Sequence, residues 1–170
     1  MGDSRAKPSE YFAFKHLGLN ETHQIKTENE LMSEISTVVP EGIFRYPTND
    51  KIISVEVKRI VGNNLPLDDR HEGSKRRFIR RRKHIIWPWA STVEAALQKA
   101  NECVIGTYFV EEHHMVFVTP QSLSSRMHHR ITEHIHNTVK EYLKREYNII
   151  KSNRIHTHII QGPDSLFDRF

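Results

Sequence analysis

With 170 residues, a net charge of +4 and 37% hydrophobic content, the chain has the size and composition of one domain that can bury a core without crosslinks. Its only cysteine, Cys103, excludes an internal disulfide and a cysteine-rich zinc site, and predicts a reducing, cytoplasmic setting. No apolar run approaches the ~20 residues of a membrane span, and the first eight residues lack the apolar stretch of a signal peptide, so no membrane partner is expected.

Ser9 is placed to cap a first helix carrying Tyr11, Phe12, Phe14 and Leu17, with Gly18 as its stop. Thr27 and Glu30 form the spacing of a capping box, which predicts a second helix with Met32, Ile35 and Val38 or Val39 facing inward. Stepping back four residues from Met32 places Glu28 on that inward face. A first-turn carboxylate also favours the positive end of the helix dipole, so a purely local role for Glu28 is the alternative.

Residues 39–59 carry two apolar-rich runs joined by the polar turn Thr48-Asn49-Asp50-Lys51, the pattern of a hairpin. Ile52 to Arg59 has the β-branched density of a strand. Period-two alternation puts Ile53, Val55 and Val57 on one face and Glu56 with Lys58 on the other, while the hairpin returns Glu41 towards Glu56. Two carboxylates and an ammonium form the donor set for metal-assisted phosphodiester hydrolysis. Glu41 and Glu56 would hold Mg²⁺ or Mn²⁺, the backbone carbonyl of Val57 could add a ligand, Glu28 could complete the shell, and Lys58 would stabilise developing negative charge.

Residues 61–74 read as a loop, followed by a run with seven bases in nine residues: Lys75, Arg76, Arg77, Arg80, Arg81, Arg82 and Lys83. Such a run suits a polyanion: DNA is the expected partner, RNA is compatible, and sequence specificity is not implied. Trp87 and Trp89 suit either base stacking or core packing. Ser91 is a plausible cap for a helix whose Val93, Ala96, Leu97 and Ala100 form a narrow apolar stripe. Residues 104–110 and 115–118 read as strands around the polar Glu111-Glu-His-His114, as a hairpin or as one bent strand ending at Pro120.

A long helix follows from Ser122 or Ser124 to about Tyr147, with Met127, Ile131, Ile135, Val139, Tyr142 and Leu143 on one face. Residues 154–160 form a last strand. The order of elements predicts an α/β fold with a central mixed β-sheet flanked by helices. One domain over 1–170 is expected, with a core over about 27–118 and a helix and strand added over 121–170.

Pro40-Glu41, fourteen intervening residues and Glu56-Val57-Lys58 resemble the PD-(D/E)XK motif of the restriction endonuclease-like nuclease superfamily. The helix before the hairpin, the Ala-Ala-Leu-Gln-Lys-Ala-Asn run at 95–101 and the strand after it are similar to that superfamily's core. The resemblance implies a divalent-metal-dependent endonuclease acting on DNA. It also leaves open a homodimer or a subunit of a larger complex. The first acid of the motif is usually Asp, so Glu41 is a departure; Asp50 is the other candidate, but it lies in the turn. A nucleic-acid-binding or assembly module that keeps the fold without catalysis is the first alternative. A second is a histidine metal site at His156 and His158, which with Ser165 and Asp168 partly resemble the JAMM metalloprotease pattern, one residue short in its gap.

Overall fold

The computed structural model describes residues 7–34, 39–60, 93, 95, 97, 110–145 and 154–167. Five strands run in spatial order β1 (Gln24–Thr27), β2 (Gly42–Arg45), β3 (Ile52–Arg59), β4 (Glu112–Pro120) and β5 (Ile155–Gly162). The first three pair antiparallel, whereas β3–β4 and β4–β5 are parallel. Helices α1 (Lys7–His16), α2 (Glu28–Glu34) and α3 (Ser125–Arg145) flank the sheet. The architecture is therefore the expected α/β class with a central mixed sheet.

Alternation along β3 decides which helix covers which side. Ile53, Val55 and Val57 join Phe44, Val116, Val118 and Ile160 in a core against Ala13, Leu17 and Leu19, from α1 and the chain just beyond it. Met115 and Phe117 point the opposite way and pack with Ile131, Ile135 and Val139 of α3, together with Ile60, Val93 and Leu97. Val93, Ala95 and Leu97 are helical, with Val93 and Leu97 buried, as the predicted stripe requires. Leu31 of α2 lies on this second side, with Val39, Ile43 and Val110. The sheet thus has an α1 face and an α3 face, and β4, buried along its whole length, separates them.

Gly18 ends α1 as expected. Its φ of 74° is in the left-handed region, and the amides of Gly18 and Leu19 donate to the carbonyls of Lys15 and Phe14. Ser9, however, lies inside α1 and is buried rather than at its cap, and Tyr11 is 65% exposed while Ala13 takes the inward position. The Thr27–Glu30 pairing at the start of α2 is present, with the Glu30 amide donating to Thr27 Oγ1 at 3.2 Å. Its inward residue is Leu31; Met32 is 49% exposed, because the packing of Leu31 against Val39, Ile43 and Val110 turns the helix by one position from the expected stripe.

The hairpin turn contains Asp50 at φ 59°, which Asp tolerates better than most side chains. The four residues of β1 were not expected to pair; the short, half-buried Gln24–Thr27 carries too little apolar pattern to announce a strand. Glu112, His113 and His114 belong to β4 itself, so the polar segment is the start of that strand. The C-terminal strand β5 joins the same sheet as its edge among the described residues, and α3 packs against that sheet.

Candidate functional site

Two groups of polar side chains stand on opposite faces of the sheet. On the α3 face, the β2–β3 register pairs Gly42 with Val55 and Ile43 with Ser54, so continuing it by one residue sets Glu41 opposite Glu56. The Glu41 carboxylate accepts the amide of Val57 at 2.8 Å, and its own amide donates to the Val55 carbonyl at 3.0 Å. Lys58 Nζ stands 3.3 Å from Glu56 Oε1. Glu56 is 4% exposed, so its carboxylate is shielded from bulk water with this ammonium beside it.

Asp50 lies past the last β2–β3 pair, Arg45–Ile52, and pairs with Arg45 in the exposed turn at 3.4 Å. It is therefore at the far end of the hairpin from Glu56. Glu28 is half-buried at the first position of α2. The basic run Lys75, Arg76, Arg77, Arg80, Arg81, Arg82 and Lys83, and both tryptophans, lie outside the described residues. Close to Glu56 on the same face, Ser54 Oγ and His113 Nδ1 share a buried hydrogen bond of 2.8 Å. Burial first, then Arg154 and His114, pushes the His113 imidazole down to about 4, so it is neutral at neutral pH. Burial acts in the same way on His134 of α3, also to about 4.

The α1 face carries the second group. Parallel pairing of β4 with β5 sets His114 beside His156 and Val116 beside His158, and alternation keeps Glu112, His114, His156 and His158 on one side. His114 Nε2 is 2.8 Å from Glu112 Oε2, its Nδ1 is 2.9 Å from His158 Nε2, and His156 Nε2 is 3.6 Å from Glu112 Oε2. The rings of His114 and His156 are stacked at 4.6 Å and 9°, and Tyr46 abuts His114 edge-on at 4.9 Å. The hairpin turn closes the site: Asn49 Nδ2 donates to Glu112 Oε1 at 2.9 Å and Lys51 Nζ lies 3.3 Å from the same oxygen.

Electrostatics follow from this packing. Burial alone would raise the Glu112 carboxyl, but hydrogen bonds from His114 and Lys51, with the charges of His156 and His114, hold it below its ordinary value. Burial lowers His114 despite the opposing pull of Glu112. Burial, then the neighbouring His114, His16 and His156, brings His158 down to about 4. A carboxylate held towards its ionised form beside a His114 imidazole biased towards its neutral form is the combination that binds metal. One donor atom from each of Glu112, His114 and His156 lies within 4.8 Å of the other two, and this group could hold a metal ion.

The expected His156 and His158 do share a face, but the groups beside them are Glu112 and His114; Ser165 sits in an exposed 3-10 turn over Asp164–Phe167, and Asp168 lies outside the described residues. Glu112 and His114 were read only as part of a polar connection. A signal existed, since Glu-x-His in one strand and His-x-His in another each place two ligands on one face, but the register that brings the two strands together is absent from either segment alone.

Among the described residues no helix is long and apolar enough to cross a membrane. No family model, no curated protein and no solved structure matches the chain.

Proposed function

We propose that the protein is a divalent-metal-dependent endonuclease that hydrolyses phosphodiester bonds in DNA, with Glu41, Glu56 and Lys58 as its working residues. The observation that carries this reading is the β2–β3 register, which aligns Glu41 with Glu56 on the face where Lys58 stands 3.3 Å from Glu56. The resemblance to the PD-(D/E)XK superfamily supports it, since that motif needs two acids and a lysine on a hairpin, with a helix on either side and a strand after it.

The donor set fits a hard ion. Glu41 and Glu56 offer carboxylate oxygens, to which the Val57 carbonyl could add a third donor, and oxygen donors select Mg²⁺ or Mn²⁺ over softer metals. Bound there, such an ion supplies charge relief to the phosphoryl oxygens. The chain's own groups do the rest. The Val57 amide fixes the Glu41 carboxylate at the start of β2. The Lys58 ammonium, beside the buried Glu56, opposes the negative charge that develops as the phosphate is attacked. The seven bases between Lys75 and Lys83 give the chain the charge to hold a polyanion independently of base sequence.

Incubating the purified protein with linear, single-stranded and branched DNA and either ion, beside Lys58→Ala, tests the assignment. The unaltered protein is expected to cleave, and the variant to lose on the order of 10²–10³ in rate. Equal cleavage by the two proteins sinks the catalytic role of Lys58. The pairing of half-buried Lys58 with buried Glu56 is also compatible with a purely structural role, which favours a nuclease-fold nucleic-acid-binding or assembly module as the second reading. Binding of DNA without cleavage under any of these conditions would support that module.

A further inference from the structure

We infer that the α1 face carries a second, separate metal site, in which Glu112, His114 and His156 bind a transition ion of the Zn²⁺ type. The inference is independent of the nuclease reading, because none of these residues lies on the α3 face. Three features of the cluster point to it.

The first is the donor set. Two imidazoles and one carboxylate are the ligands of zinc-type ions; Mg²⁺ and Ca²⁺ take oxygen in preference to nitrogen. With bonds of about 2.1 Å in a tetrahedron, neighbouring donor atoms stand about 3.4 Å apart. Two of the edges, 2.8 Å from His114 to Glu112 and 3.6 Å from His156 to Glu112, bracket that spacing. The third edge, between the two histidine nitrogens, lies within 4.8 Å, and because the two rings are stacked an ion is accommodated by turning the half-exposed His156 ring towards it; three protein ligands then leave one position for solvent or substrate.

The second is how the ligands are held. The two oxygens of Glu112 are divided, with Oε1 taken by Asn49 and Lys51 and Oε2 turned towards the histidines. His114 is pinned at its other nitrogen by His158 Nε2 at 2.9 Å. With metal at Nε2, the neutral His114 ring carries its proton on Nδ1 and donates it to His158, whose own proton moves to its Nδ1; both rings change tautomer and no net proton is lost. A partner on the remote nitrogen fixes the orientation of a ligating imidazole and raises its basicity. Tyr46, packed edge-on against His114, limits rotation of the ring.

The third is an orphaned atom. Nε2 of His156 is buried and makes no hydrogen bond among the described residues, its nearest acidic oxygen being Glu112 Oε2 at 3.6 Å, although its side chain as a whole is 40% exposed. Burying an imidazole nitrogen without a partner costs free energy that a metal bond would recover. The exposed side of His156 provides the route by which an ion reaches it.

The experiment uses the full chain, stripped with a chelator and titrated with Co²⁺ and then Zn²⁺. One Co²⁺ per chain is expected, with the strong visible absorption of a four- or five-coordinate ion that Zn²⁺ displaces. His156→Ala, which changes the most exposed ligand, should weaken binding by at least about tenfold, and His158→Ala, through loss of orientation, by about tenfold. Should His156→Ala fail to fold, Glu112→Gln, nearly the same in shape, is expected to show the same loss. Uptake of several weakly held ions with an octahedral spectrum would assign binding to scattered surface histidines and overturn the site. So would one tightly bound ion whose affinity is unchanged in the folded variants.

Discussion

Both faces of the sheet bury a glutamate, and they surround it with different partners. Glu112, 5% exposed on the α1 face, is ringed by an amide, an ammonium and imidazoles drawn from the hairpin turn, its own strand and β5. Glu56, 4% exposed on the α3 face, has Lys58 two residues along its own strand, with Glu41 opposite. A carboxylate among nitrogen ligands suits a borderline ion, whereas paired carboxylates with an ammonium suit a hard ion and a phosphate. Adjacent strands of one sheet can hold both because alternation sends neighbouring residues to opposite sides.

The separation of the faces can be broken at the element they share. Phe117→Ala removes a fully buried ring from the centre of β4 and is expected to cost about 3–5 kcal/mol, measured by urea unfolding. It should weaken both groups together; a loss confined to one face would show that β4 does not couple them.

A sharper separation comes from Glu56→Gln. We expect DNA cleavage to fall on the order of 10²-fold, equivalent to about 2.7 kcal/mol, with Co²⁺ uptake unchanged. If Co²⁺ uptake falls in step with cleavage, the two faces do not hold separate sites.

Acid should act through His113 and, in the same direction, through His134 and His158, which burial lowers alike. The folded value of His113, about 4, lies below the ~6.5 of an unfolded histidine, so between those values the unfolded chain binds the extra proton. The contribution is fully present above pH ~6.5 and is lost as the pH falls towards 4, by at most about 1.4 kcal/mol per pH unit. Denaturant midpoints at pH 7, 5.5 and 4.5 measure it, and His113→Gln should flatten the slope; an unchanged slope in that variant would remove His113 from the account.

The smallest expected stability change distinguishes two roles for Glu41. Glu41→Gln keeps an oxygen to accept the Val57 amide, so stability should change by about 1 kcal/mol or less, while metal-dependent cleavage falls at least tenfold. Unaltered cleavage would leave Glu41 as a clip between β2 and β3 and nothing more.

The alternation of Ile53, Val55 and Val57 with Glu56 and Lys58 was legible because period two is a local property of an extended chain, and the four-residue spacing of Met127, Ile131, Ile135 and Val139 identified α3 for the same reason. The left-handed positions in the hairpin and after α1 fell where Asp50 and Gly18 allow them. Met32 shows where local reasoning failed. The capping pair was correct, yet the inward residue was Leu31, because rotation of a short helix is set by what it packs against.

By itself, then, the chain determined the α/β class, the hairpin and the common face of Glu56 and Lys58, all of which follow from local periodicity and turn chemistry. Only the tertiary structure decided that β4 and β5 lie parallel and in register, bringing Glu112 and His114 to His156 and His158 although His114 and His158 are 44 positions apart in sequence. The physical reason is that register between distant parallel strands is fixed by how α3 and the sheet bury their apolar faces together, and no segment of the chain carries that information alone.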